Sequence, residues 1–139
     1  CGRKGLERKI IKNLVKIFDT FGTSRNDLLV AIGPAISKEH YLVDKLTLKE
    51  FYRKAENKKI TLDLTKTEKD LCFSDSHHFK EQNLNQLDLK KSAYRQLLSE
   101  NIPNTNIDIS NLCTYKFKNE FNSWRKNKTI SRQWNFICS

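Results

Sequence analysis

The sequence predicts an α/β (α+β) domain in which helices flank a mixed sheet. Three observations carry this. Leu28-Leu29-Val30-Ala31-Ile32 is a short apolar run stopped by Gly33-Pro34. Amphipathic helical patterns lie on either side of it, over residues 4–21 and 87–101. Short alternating or apolar segments recur later, at Ile107-Asp108-Ile109 and at Trp134-Asn135-Phe136-Ile137-Cys138. A helix that leads into a buried strand is half of an α/β unit. At 139 residues the chain is long enough for one domain with its own core.

In residues 4–21, Leu6, Ile10, Leu14, Ile17 and Phe21 recur every three or four positions, and Ile11, Val15 and Phe18 widen the stripe. Gly22 follows as a helix stop. Thr23-Ser24-Arg25-Asn26-Asp27 is a polar turn in which Thr23 or Ser24 can cap a short helical turn. Five apolar residues in a row then predict a strand over 28–32 that is buried on both faces. Pro34 lacks an amide hydrogen and biases Gly33 away from helix, so the strand ends there. Gly33-Pro34 suits the wall of a site, and equally an ordinary strand exit.

Tyr41-Leu42-Val43 restarts the apolar pattern, and Val43, Leu46, Leu48, Phe51 and Tyr52 predict a helix to about Ala55. Ile60-Thr61-Leu62-Asp63-Leu64 alternates as a strand would. Residues 65–86 are the least regular and hold Cys72, His77 and His78. That trio invites a zinc reading. Adjacent histidines point in different directions on a regular element and no fourth ligand is evident, so a surface loop is the preferred reading. The third helix spans 87–101, with Leu87, Ala93, Tyr94, Leu97 and Leu98 as its stripe and Asp88 in its first turn. Ile102-Pro103 ends it. The alternation from Ile107 continues to Cys113-Thr114-Tyr115, and the last strand is expected at 134–138.

The formal charge is +10, from 26 basic and 16 acidic residues. The basic residues are scattered and alternate with apolar ones as a solvated helix face would, which argues against a dedicated nucleic-acid surface. A local pocket for an anionic small molecule uses the same charge. No window approaches the length of a membrane span, and CGRKGLERKII has charges where a signal peptide is apolar. Cys1, Cys72, Cys113 and Cys138 form no C-x-x-C pair, so the expectation is a cytoplasmic protein with reduced thiols. Phosphate loops, G-x-S-x-G and H-E-x-x-H are absent from the sequence. Cys113 reads first as a buried structural cysteine and second as a nucleophile. Ser123-Trp124-Arg125-Lys126 sets a hydroxyl, an aromatic ring and two cations side by side. Arg can fork onto phosphate or carboxylate, and a solvated basic turn is the plainer alternative.

Four segments, in order, resemble one family. Gly33-Pro34-Ala35-Ile36 with Tyr41 and Val43 resembles the IGPAIGPxxYEV signature of the multicopper polyphenol oxidoreductase (laccase-domain) family, whose members are also called purine nucleoside phosphorylases or peptidoglycan editing factors. Cys1-Gly2-Arg3-Lys4-Gly5 resembles the tail of its H-A-G-W-R-G motif. Leu87-Asp88-Leu89 resembles its L-D-L helix start. Cys113-Thr114-Tyr115, Ser123-Trp124-Arg125-Lys126 and Ser131-Arg132 resemble its C-T-Y, F-S-Y-R-R-D and T-G-R ending.

The resemblance implies that residues 1–139 form the C-terminal part of such a domain, incomplete at its N-terminus. It implies zinc-dependent handling of purine nucleosides, by phosphorolysis of adenosine and inosine or by adenosine deamination. The polyphenol oxidase label implies copper instead, since zinc cannot cycle redox states. The family's metal ligands, two histidines and a cysteine, would lie upstream of Cys1, so the resemblance places no metal ligand in this chain. Substrate contacts are carried onto Lys4, Gly33, Pro34, Ser123, Arg125 and Lys126: the three cations for an anion such as phosphate, Ser123 and the Gly33-Pro34 backbone as pocket wall. Arg3 and Lys4 replace the motif's Trp and Arg, Leu42 its Glu, Lys126-Asn127 its Arg-Asp and Ser131 its Gly. The expected partners are a nucleoside and phosphate. The alternatives are peptidoglycan-precursor editing by the same family and a non-catalytic basic module that binds polyanions.

Overall fold

The computed structural model describes residues 2–56, 84–117, 119–128 and 131. The strands expected at 60–64 and 134–138, and the Cys72, His77, His78 trio, lie outside the described residues.

The first amphipathic pattern folds as two helices, α1 (Arg3–Glu7) and α2 (Ile10–Thr20), where the spacing predicts one. The break falls at Lys9, which adopts the left-handed region (φ 55°). Its physical reason is that the stripe serves two cores. Leu6 is fully buried with Leu48, Phe51 and Leu87 in one cluster, whereas Val15 packs with Leu97 and Ile102 in another. In an unbroken helix Leu6 and Val15, nine residues apart, would face about 180° away from each other. Gly22 ends α2 at φ +72°, where a residue without a Cβ is favoured.

Strand β1 is Val30–Ile32 and is buried on one face rather than two. Val30 and Ile32 turn toward the second core, Ala31 is exposed, and Leu29 is 84% exposed. β1 pairs in parallel with β4 (Ile107–Ile109) in the register Val30↔Ile107 and Ile32↔Ile109. The pairing continues past both strands: the amide of Ser110 donates to the Ile32 carbonyl at 2.9 Å, and Ala35 bridges Cys113. The loops after the two strands therefore run side by side, which brings residues 35–41 next to residues 113–116.

Strand β2 (Leu42–Asp44) pairs antiparallel with β3 (Leu84–Gln86), Val43 opposite Asn85. β3 falls in the stretch read above as irregular. It is only three residues long and mixed in polarity, so its periodicity is too short to register. Asp44 ends β2 and caps α3 (Lys45–Ala55), its carboxylate accepting from the Thr47 amide at 2.8 Å. Leu46, counted in the α3 stripe, is exposed, while Leu48, Phe51, Tyr52 and Ala55 are buried.

Helix α4 (Leu89–Ser99) is shorter at both ends than the pattern over 87–101, because Asp88 is its cap rather than part of its first turn. The Asp88 carboxylate accepts from the Lys91 amide at 2.9 Å. Gln96, buried on α4, donates from Nε2 to the carbonyls of Leu6 and Ala55, each at 3.0 Å, and so ties α1, α3 and α4 together. A fifth helical turn, α5 (Trp124–Asn127), follows Ser123. The α/β class holds, with its parallel and antiparallel pairings in two separate two-stranded sheets among the described residues.

Candidate functional site

A cavity of about 600 Å³ opens between α1, β2 and the start of α5. Arg3, Ile36, Tyr41, Asp44, Thr114, Ser123, Trp124 and Arg125 are among its lining residues. Each arrives for a local reason. The β1–β4 register continues into Thr114, whose amide donates to the Ala35 carbonyl at 3.2 Å and fixes the wall at Ile36. Tyr41 is held where its carbonyl accepts from the Leu87 amide at 3.0 Å. The first turn of α5 places Ser123, Trp124 and Arg125 at one rim; Ser123 is 6% exposed and its side chain does not cap the helix.

The electrostatics are mixed. The Arg125 guanidinium lies over the Tyr41 ring, 4.8 Å from its centroid, and forms no ion pair among the described residues. Arg3 is bonded to Glu7, whose carboxylate is nearly buried, so part of its charge is answered within α1. Asp44 faces the same cavity as a stable anion, because the hydroxyl and amide of Thr47 donate to its carboxylate and hold it below its ordinary pKa. The cavity thus offers one stacked, uncommitted cation, one committed cation, a carboxylate, and aromatic surface from Tyr41 and Trp124.

Of the residues singled out in the sequence, Ser123 and Arg125 meet in this cavity. Lys4 points away: its side chain is mostly exposed, with Nζ 3.7 Å from the Glu7 carboxylate. Lys126 donates to the Tyr115 carbonyl at 3.1 Å and lies over the Tyr115 ring. Gly33 and Pro34 are not among the lining residues, which in this loop start two positions later at Ile36. Arg3, Tyr41, Asp44 and Thr114 line the cavity without having been singled out as contacts. Arg3 stands where the family motif has Trp, so the motif itself directed attention to Lys4.

Directly behind Ile36, Tyr41 and Thr114 lies a second polar group. The Cys113 sulfur accepts from the Ser37 amide at 3.3 Å and stands 3.8 Å from His40 Nδ1. Ser37 Oγ contacts the same nitrogen at 3.0 Å, and the His40 ring stacks on Tyr115. Burial raises the Cys113 pKa. Hydrogen bonds from the Ser37 side chain and amide, and from Lys116 and Tyr115, outweigh it, so the thiol sits below its usual value. Cys113 is thus buried, as its first reading expected, with a histidine beside it that no local pattern reveals.

The described residues do not fit a metal centre. No group of three or more His, Cys, Asp or Glu among them could hold an ion. Cys113 and His40 come nearest, and both are occupied by Ser37. No helix among the described residues is long and apolar enough to cross a membrane.

A small α/β unit with an arginine-lined cavity between α1, β2 and α5 is the class that the fold and site define. The whole chain, residues 1–139, matches the family described as multi-copper polyphenol oxidoreductase laccase, and the chain belongs to that family. It is 28% identical over 146 residues to a purine nucleoside phosphorylase of Synechocystis sp., covering 100% of this chain and 54% of that protein. A purine nucleoside phosphorylase of Bacteroides thetaiotaomicron is 26% identical over 128 residues, 91% of this chain and 42% of its own length. Among solved structures, the YlmD protein of Geobacillus stearothermophilus superposes with a TM-score of 0.70 at 26% identity. The hypothetical protein YfiH of Bacillus licheniformis gives 0.68 at 25%. Each solved match covers 92% of this chain and 43% of the relative. The chain therefore spans about half the length of the relatives it matches.

Proposed function

We propose that residues 1–139 are the C-terminal part of a nucleoside-processing domain, and that the cavity holds a purine nucleoside together with phosphate. The observation that carries this reading is Arg125: a guanidinium stacked on Tyr41, facing a cavity, with no ion pair among the described residues to neutralise it. A planar fork of donors left uncommitted suits a phosphate oxygen pair. Tyr41 and Trp124 offer faces for a purine, and the Asp44 carboxylate can accept from ribose hydroxyls. Two relatives bear the name purine nucleoside phosphorylase, which supports the substrate class.

In phosphorolysis a phosphate oxygen bonds to the anomeric carbon of the ribose while the bond to the purine nitrogen breaks, and the base leaves with a proton. In this reading Arg125 binds and orients the phosphate, Arg3 adds positive potential, Ser123 lines the same rim as Arg125, and Thr114 forms part of the wall. The metal, zinc or in the alternative copper, would be bound mainly by polypeptide outside these residues.

Trp124 reports on the test, since it is half exposed at the cavity rim. Adenosine and inosine should change its fluorescence saturably in the wild type and not in Trp124→Leu, which removes the reporter and keeps the rest of the wall. A signal that is unsaturable, or identical in both, rejects the nucleoside reading.

A further inference from the structure

Helix α2 is apolar around more of its circumference than the described residues cover. At 3.6 residues per turn, Ile10, Leu14, Ile17 and Phe21 fall within about 60° of one another, and Phe18, Ile11 and Val15 extend the arc. Only the far edge of that arc is used. Val15 is buried in the second core and Ile11 packs against both cores. Ile10 is 48% exposed, Leu14 52%, Ile17 53% and Phe21 79%. Lys12, Lys16 and Asp19 occupy the opposite side, so the helix has a polar face of its own and does not need this one. Single exposed apolar residues are ordinary, but four in line over three turns form a contiguous patch, and such patches mark interaction surfaces.

We propose that this stripe is the docking surface for the remainder of the family fold, the polypeptide that the relatives carry beyond the part matched here. The proposal rests on the reading of residues 1–139 as part of a longer domain, and it names the face through which the rest is joined. The solved relatives share this arrangement at TM-scores of 0.68 and 0.70, yet this chain covers 43% of each. More than half of that fold therefore has no counterpart in these residues. The parallel pair β1–β4 already has α2 and α4 against one face, through Val15 and Leu97, so the exposed stripe of α2 points away from the layers formed by the described residues. The occupant is accordingly an apolar face of the complementary part, not a charged ligand.

The test pairs the chain with the complementary segment of the Synechocystis or the Bacteroides relative, using whichever segment re-forms a complex with the rest of its own parent. A 1:1 complex is expected by analytical ultracentrifugation, weakened more than tenfold by Leu14→Lys with Ile17→Lys. Both positions are exposed, and an unchanged circular dichroism spectrum shows that the variant is folded. Phe21→Ser, at the end of the helix, should weaken binding in the same direction and guards against a misfolded double variant. Three results overturn the proposal: no complex with a competent segment, equal binding by the variants, or a stoichiometric homodimer that the variants abolish, since a second copy would then own the face. The readout is assembly and not turnover, so a failure of the nucleoside reading leaves it unmoved.

Discussion

Replacing Arg125 by alanine should separate binding from folding. The side chain is exposed, its one aromatic contact is the Tyr41 ring at 4.8 Å, and no ion pair holds it among the described residues. An exposed cation–π contact contributes about 0.5–1 kcal/mol, so Arg125→Ala should lower unfolding stability by no more than about 1 kcal/mol. Its effect on phosphate should be larger. Hydrogen bonds to charged groups contribute about 1.5–3 kcal/mol, which is roughly a ten- to 150-fold loss of phosphate affinity. Arg125→Lys keeps the charge and loses the planar fork, so its affinity should fall between the two. Calorimetric titration with inorganic phosphate measures the binding, and urea unfolding measures the stability. Phosphate affinity unchanged in a folded Arg125→Ala protein would refute the assignment, as would a stability loss equal to the binding loss.

Other outcomes follow from the same contacts. Phe51 is fully buried between α1, α3 and the β2–β3 pair, so Phe51→Ala should cost about 3–5 kcal/mol in urea unfolding. Gln96→Leu strands the Leu6 and Ala55 carbonyls that Nε2 now satisfies, and should cost about 1–3 kcal/mol by the same assay. The lowered pKa of Cys113 has a definite sign. Between its folded value and its ordinary value the unfolded chain binds more protons, so stability should rise with pH through that window and fall as pH drops through the folded pKa. Cys113→Ser should remove this component of the rise, read as unfolding free energies compared at neutral pH and above pH 9; an equal slope in both proteins contradicts the hydrogen-bond account.

The helices were legible because their patterns are long. Leu48, Phe51, Tyr52 and Ala55 occupy one face of α3 and are buried, as their spacing requires. Gly22 and Pro103 mark boundaries that the backbone obeys. What the sequence hid was the division of labour within a pattern. The stripe of residues 4–21 runs on without interruption and does not mark the break at Lys9 that separates the Leu6 core from the Val15 core. The run 28–32 reads as buried on both faces because apolar character says nothing of what covers it, and Leu29 is left exposed. Hydrophobicity likewise placed Leu46 in the α3 stripe and missed the mixed, three-residue β3.

The cavity was half legible. Ser123 and Arg125 could be found together because one short helix presents both. Tyr41 was visible as part of the family signature, but its role depends on the loop it shares with His40, and that loop is set by the long-range pairing of Ala35 with Cys113. The Cys113–His40 contact joins positions 73 residues apart, a separation at which local pattern carries no information. Lys4 and Lys126 stand apart from the Ser123 and Arg125 pair. Charge and position suggest an anion site, yet the nearest partners are the Glu7 carboxylate and the Tyr115 carbonyl.

The most direct test of the account is nucleoside turnover by the chain joined to the rest of its domain, with and without phosphate. The account predicts that free purine base is released from adenosine or inosine only when phosphate is present, and that Arg125→Ala raises the phosphate requirement. Base release that is independent of phosphate, or a folded, joined protein that binds phosphate and leaves both nucleosides intact, would contradict it.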